Sequence, residues 1–403
     1  IWRTLGSLTL GREFLRYEVL AIDPESFAAM TSYRDDFTDE PVPVLLDRLT
    51  LANVTPQPTV PLPGQPGKIG LWIWSGPDPE DEDRLRGDSN LDRFGLEVKL
   101  ATAQQDTFLV ELTTSETGYP ADGWRFFEGS LPTLPETSYP VALHSIWLRN
   151  RTIIEGNFSR STSTNMTLGM DALTVTDGVT GETAVAYEFE TLTDVWRTTD
   201  PSSDIAYDNR QTYSGSGSQK LLLDLGPTGQ AGFLLANPTP RTNALPALVS
   251  QSFLVKAQTK VGDVLNLTIN SQPMRFEIVG AVNYFPTLYE DLNAGYLITN
   301  RVLLLDTFNT QTSQPMNNNE ALLAVATAVP PQTVSAAALS DLTAVKTAIA
   351  QEEVRLNIKA DPMALGLRSV TLFGYLLTTA LSLVGFATHF YLSAKQKEAI
   401  YGV

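Results

Sequence analysis

Histidine and cysteine carry most nucleophilic and transition-metal chemistry, and both are scarce here. The 403 residues hold two histidines, His144 and His389, and no cysteine. Thiolate zinc sites, iron–sulfur clusters, disulfide frameworks and Cys nucleophiles are therefore excluded, as is a His-rich metal centre. A Ser-His-Asp triad would have to use His144, because His389 lies in a long apolar run; His144 sits in the alternating stretch 142–148, where a structural imidazole is expected. Ser214-Gly215-Ser216-Gly217-Ser218 comes nearest to a nucleophile elbow, but its glycines flank Ser216 directly, so it reads as a turn. No GxxxxGK(S/T) phosphate loop occurs, so ATP binding by that device is excluded. The run Asp78, Glu80, Asp81, Glu82, Asp83 offers oxygens to a hard cation, but its spacing is not that of an EF-hand loop and it reads as a solvated acidic loop. Trp72, Trp74, Trp124 and Trp147 fall within strand patterns, which favours core packing over a sugar-stacking platform. The Asn-x-Ser/Thr triplets at Asn53, Asn150, Asn157, Asn165 and Asn266 matter only in a host that glycosylates exported proteins.

These side chains are carried by a folded, acidic, membrane-attached chain. Hydrophobic residues make up 43% and charged residues 18%, which excludes a disordered chain, and the length predicts two or three domains. The net charge of −17 argues against nucleic-acid binding, which needs clustered Lys and Arg. From Ser369 to Ala394 no charged residue occurs, a run of 26. As a helix it spans about 39 Å, against a hydrocarbon core of about 30 Å, and it exceeds the usual length of a buried core helix. Tyr375 and Tyr391 lie towards its ends, Arg368 precedes it, and Lys395 and Lys397 follow. The segment from Ser369 onward carries +1 and the rest −18. Positive flanks stay in the cytoplasm, so the large acidic part is expected outside and the C-terminus inside, in the cell membrane. Ile1 is not a start methionine and no signal-peptide pattern follows it, so the chain is expected to be an excerpt of a longer protein.

Periodicity divides the chain. Residues 1–66 read as helical pieces and a Pro-rich linker: Asp23-Pro24-Glu25 starts one helix, and Pro41 and Pro43 open another with Leu45, Leu46 and Leu49 on one side. Residues 67–178 turn to short alternating strands, Ile69/Leu71/Ile73, Phe94/Leu96/Val98/Leu100 and Phe108/Val110/Leu112 among them, which predict a β-sandwich. Their order resembles the jelly-roll domains common among carbohydrate-binding modules, and Asp171 in the closing strand stands where such domains often hold a structural calcium. Residues 179–240 are β-rich again and read as a half-sandwich or as an extension of the first. In 241–360 Leu265, Leu267 and Ile269, then Met274, Phe276 and Ile278, predict a hairpin with one buried face, and Leu339, Leu342, Val345 and Ile349 predict a helix near 336–350. Asp361-Pro362 starts a helix leading through 361–394 into the span, and 395–403 follows it. The expected fold class is α+β, mostly β: a jelly-roll-like sandwich inserted in a mixed extracytoplasmic core, with one C-terminal transmembrane helix.

Three pieces in order resemble the FtsX-like permeases of ABC transporters. VGDVLNLTINSQPMRFEIVGAVNYFP (261–286) is similar to the hairpin of the MacB-like periplasmic core. DPMALGLRSVTLFGYLLTTALSLVGF (361–386) looks like the approach to a permease membrane helix, and SAKQKEAIYGV (393–403) like the start of the cytoplasmic stretch that follows it. Lys395 and Lys397 stand where basic residues, often Arg, are usual. The likeness covers 240–403 well and 1–50 loosely, and the inserted sandwich departs from the commonest members. It implies a non-enzymatic permease whose motion comes from a separate ABC ATPase subunit. Lys395, Lys397, Glu398 and Tyr401 would form the coupling end, and Gly374 and Gly385 would pack against further permease helices or a second permease copy. Membrane lipid is the remaining partner, and no cofactor is implied beyond the calcium candidate at Asp171. The alternatives are a membrane-anchored glycan-binding or adhesion protein and an anchored hydrolase, the latter disfavoured by the missing catalytic groups.

Overall fold

The computed structural model describes residues 1–31, 33, 37–38, 40–50, 57–75, 94–114, 123–150, 164–190, 196–199, 203–225, 230–236, 244–288, 295–325, 329–341 and 345–402. The acidic run 78–83 lies outside them. The chain falls into two units, Ile1–Leu322 and Leu323–Val403. It is a mixed α+β protein, mostly strand, with one long apolar C-terminal helix.

The first unit contains a closed six-stranded barrel. Its strands are β1 (Trp2–Leu10), β2 (Glu13–Ile22), β15 (Leu245–Ser250), β16 (Val264–Ile269), β17 (Gln272–Val282) and β18 (Tyr296–Asn300), ordered β1-β16-β17-β15-β18-β2. The predicted hairpin is β16–β17, antiparallel, with Met274, Phe276 and Ile278 buried. Its turn residues Asn270 and Ser271 have φ of 46° and 66°, the left-handed pair that a two-residue hairpin turn requires. The hairpin closes into a barrel instead of a one-sided sheet because β1 and β2, which the sequence presented as helical pieces, seal it. β2 carries side chains buried on both faces. Tyr17, Val19 and Ala21 join the inner core with Phe253, Leu267 and Phe276, while Leu20 and Ile22 pack outward with Phe27, Leu45, Leu46 and Leu49. Those outer residues come from the two predicted helices, α1 (Pro24–Met30) and α2 (Val42–Thr50). The helices α3 (Gln251–Lys256) and α4 (Arg301–Gln311) add Phe253, Leu303, Leu304, Leu305 and Phe308 to the inner core. Each such buried aliphatic or aromatic side chain stabilises the fold by about 1.5–3 kcal/mol.

Between α2 and β15 the chain builds two antiparallel sheets. One is β12-β13-β9-β4-β7 with β10 beside β9; the other is β11-β14-β8-β5-β6 with β3 beside β8. The strands are β3 (Val60–Pro61), β4 (Pro66–Trp74), β5 (Phe94–Ala101), β6 (Thr107–Leu112), β7 (Trp124–Ser130), β8 (Ala142–Asn150), β9 (Thr164–Asp177), β10 (Thr183–Tyr187), β11 (Trp196–Thr198), β12 (Asp204–Asp208), β13 (Ser218–Leu225) and β14 (Gln230–Leu235). Ile69, Leu71, Ile73, Leu168 and Met170 of the first sheet share a core with Leu96, Val98, Leu100, Ile146 and Phe233 of the second. β13 pairs with β9 and β14 with β8, so the strands of 179–240 extend the same two sheets. This resolves the half-sandwich alternative: Trp196, Leu221 and Phe233 are buried in that same core.

The second unit contains α5 (Pro331–Asp341), α6 (Gln351–Ala360) and α7 (Pro362–Tyr401). The helix expected at 336–350 begins earlier, at Pro331, which suits a first turn, and residues 345–350 are not helical. α7 starts as predicted: Asp361 accepts a hydrogen bond from the Met363 backbone N–H at 2.8 Å, with Pro362 in the first turn. Its 40 residues extend about 60 Å without a break.

Candidate functional site

Helix α7 holds an apolar segment, Leu365–Lys397, with mean hydropathy 1.8 and none of it covered by the rest of the chain. By length and composition it can cross a membrane. Its two sides differ. Thr371, Gly374, Thr378, Ser382, Gly385 and His389 fall within an arc of roughly 80° at 100° per residue, with Leu372, Leu376, Leu383 and Phe390 on the opposite side. Apart from the helix's own neighbouring backbone, nothing among the described residues lies within 4 Å of where a Cβ would stand on Gly374 or Gly385. The Thr371 and Thr378 hydroxyls donate to the carbonyls four residues back, Leu367 and Gly374, at 2.8 and 2.7 Å, so neither is left bare in an apolar medium. Lys395 and Lys397 are exposed at the far end. Glu398 and Tyr401 continue the same helix, but their side chains lie outside the described residues.

Asp171 has a structural task. It lies opposite Trp72 in the β4–β9 register and is buried. Its Oδ2 accepts the backbone N–H groups of Tyr213 (2.8 Å) and Ser214 (3.1 Å). Burial raises its carboxyl above the usual range, and those two N–H groups pull it back. The bonds hold the Tyr213 ring over Trp72, 3.7 Å between centroids and 16° from parallel, with Trp124 edge-on at 5.9 Å. Among the described residues no three His, Cys, Asp or Glu side chains gather as metal ligands. Ser214–Ser218 forms the expected turn, with Gly215 at φ 62° and the Ser216 N–H bonded to Glu190.

Trp74, Trp124 and Trp147 are buried, as expected of packing residues, while Trp72 is half-buried; none of the four belongs to the cluster between the two sheets. Ile69, Leu71 and Ile73 take the inward positions of β4, which puts Trp72 and Trp74 on its outer side. Trp147 likewise faces away from the core, and the backbone of Gly232 lies against its ring. His144 is buried, with Nδ1 3.0 Å from Ser145 Oγ and Nε2 3.8 Å from Asp306 Oδ1.

Sequence reasoning missed the joint between sandwich and barrel. Lys99 of β5 is fully buried and donates to the carbonyls of Asn309 (2.8 Å) and Thr312, at the C-terminal end of α4. Its Nζ stands 5.2 Å from the Trp147 ring centre. An asparagine ladder continues the contact. Asn317 accepts from the Thr107 N–H at 2.7 Å and donates to its carbonyl at 2.6 Å. Asn319 does the same with Arg3 of β1, at 2.8 and 2.7 Å, and Asn318 donates to Asp106 at 3.0 Å. Arg3 also pairs with Glu18 and with Glu320. The run Asn317-Asn318-Asn319 was the available signal, since such side chains mimic a strand edge.

No protein-family model, no curated protein and no solved structure matches this chain.

Proposed function

We propose that this chain is the extracytoplasmic region and one membrane helix of an FtsX-like ABC permease, a non-enzymatic subunit passing ATPase-driven motion across the cell membrane. The observation that carries the reading is α7. It runs from the capped start at Asp361 through the apolar segment to the basic end in one piece, as a lever needs. The barrel hairpin β16–β17 is the segment that resembles the MacB-like core, and the joint at Lys99 ties the sandwich to that barrel, so motion reaching one reaches both. The sandwich itself is read as jelly-roll-like, because β4, β7 and β9 of one sheet alternate along the chain with β5–β6 and β8 of the other. In this account Lys395 onward is cytoplasmic and touches the ATPase through Lys395, Lys397, Glu398 and Tyr401, while the small-residue side of α7 packs on another permease helix or a second copy.

The test is a complex assembled with its ATPase. Replacing Glu398 and Tyr401 with Ala should uncouple hydrolysis from transport with the outer domain still folded, and Gly385→Leu should weaken assembly. If neither set alters assembly, hydrolysis or transport, the coupling reading fails. The outer-face aromatics favour one other reading, an anchored glycan-binding protein: Tyr213, Trp72 and Trp124 lie together beside a buried carboxylate. A glycan array probed with wild type and Tyr213→Ala separates the two.

A further inference from the structure

Lys99 is a buried ionisable side chain whose protonation neither reading uses. Its amine is enclosed, and among the described residues no carboxylate touches it. The charged groups around it are otherwise engaged. On its own strand Glu97 is held by Arg149 of β8 at 2.8 and 3.1 Å. Glu111 of β6 stands opposite Glu97. On β8 the neighbours are His144 and Arg149. From α4, Asp306 accepts the Gln57 N–H at 3.1 Å, and Arg301 donates to Asn318 at 3.2 Å. Asp106, in the turn before β6, accepts from Asn318. What faces the amine carries no full charge: two carbonyls at the C-terminal end of α4 and the face of an indole ring, whose partial negative potential offsets burial only in part. A buried ammonium without a counter-ion is costly, whereas a neutral amine keeps two N–H groups, one for each carbonyl.

We propose that the joint between sandwich and barrel is proton-linked: at alkaline pH Lys99 is neutral while the joint is closed and takes up a proton when the joint opens to water. The direction agrees with the electrostatics: burial pushes the amine down from 10.5 to about 7, with Glu97 pulling the other way. Between those values only the open form holds the proton. Each unit rise in pH there favours the closed joint by about tenfold, and below about 7 both forms are protonated and the dependence vanishes. The joint is therefore loosest at neutral and acid pH. This inference stands apart from the transport reading.

A single cysteine reports the opening, since the chain has none of its own. Ser313 is buried at the joint, its hydroxyl donating to Gln230 of β14 at 2.7 Å. In the full chain in detergent micelles, Ser313→Cys is alkylated with iodoacetamide, and the rate is divided by that of a short thiol peptide at the same pH. The corrected rate should fall about tenfold per unit from pH 7.5 to 9.5. With Lys99→Met added it should not change with pH, and with Glu111→Gln added the fall should persist. A flat profile in the lysine-bearing chain overturns the proposal, and so does a slope that survives Lys99→Met. Should Lys99→Met fail to fold by circular dichroism, Lys99→Gln takes its place, with the same flat profile expected and a surviving slope again overturning the proposal.

Discussion

Asp171 holds a loop through two backbone N–H groups, and its removal tests that role directly. Asp171→Ala leaves both donors without their acceptor, which should cost about 1–3 kcal/mol. It should also free Tyr213 from Trp72, changing the near-ultraviolet circular dichroism of the folded protein. Asp177 acts similarly at the β9–β10 turn, accepting the N–H groups of Thr180, Gln65 and Val179, which pull its carboxyl down from 3.8 to about 2. A depressed carboxyl adds stability above its unfolded value and loses it as pH falls through the folded one. The gap in urea midpoint between wild type and Asp177→Asn should therefore be full above pH about 4 and close towards pH about 2. Gly232 supports Trp147, and a Cβ there would stand 2.7 Å from the ring. Gly232→Ala should destabilise by about 1–3 kcal/mol, measured as a lower midpoint of urea unfolding.

At the scale of elements, the β16–β17 hairpin was legible because its faces alternate and its turn is polar. Ser271 holds φ 66°, so Ser271→Gly should raise the melting temperature, relieving a left-handed residue by up to about 1 kcal/mol. β1 and β2 were not legible, for a physical reason. The inward side of β1 carries Gly6, whose place is filled by the Tyr17 ring 2.4 Å from where a Cβ would stand. β2 is buried from Val19 to Ile22 on both faces, inside the barrel and beneath the helices, so alternation disappears. α1 and the start of α7 were legible from an Asp-Pro pair at their N-termini, and α2 from Pro41 and Pro43. The tryptophan positions were visible as strand residues, but which side each faced depended on the aliphatic residues between them.

At the scale of the molecule, the apolar segment of α7 was legible in composition alone, since a run of 26 uncharged residues needs no fold to be recognised. The sandwich–barrel joint was not, because its partners lie far apart in the chain and are polar. Lys99 and Asn309 are 210 residues apart, as are Thr107 and Asn317. Strand periodicity assigns Lys99 to an exposed face, and only the packing of α4 against that face buries it. The central claim is that α7 spans the membrane with its basic end in the cytoplasm. The cysteine-free chain permits a direct measurement: Ser340→Cys and Gln396→Cys, each alone, treated with an impermeant maleimide on intact cells. The account predicts labelling of Ser340→Cys before permeabilisation and of Gln396→Cys only after it. Labelling of Gln396→Cys on intact cells, with Ser340→Cys protected, would contradict it.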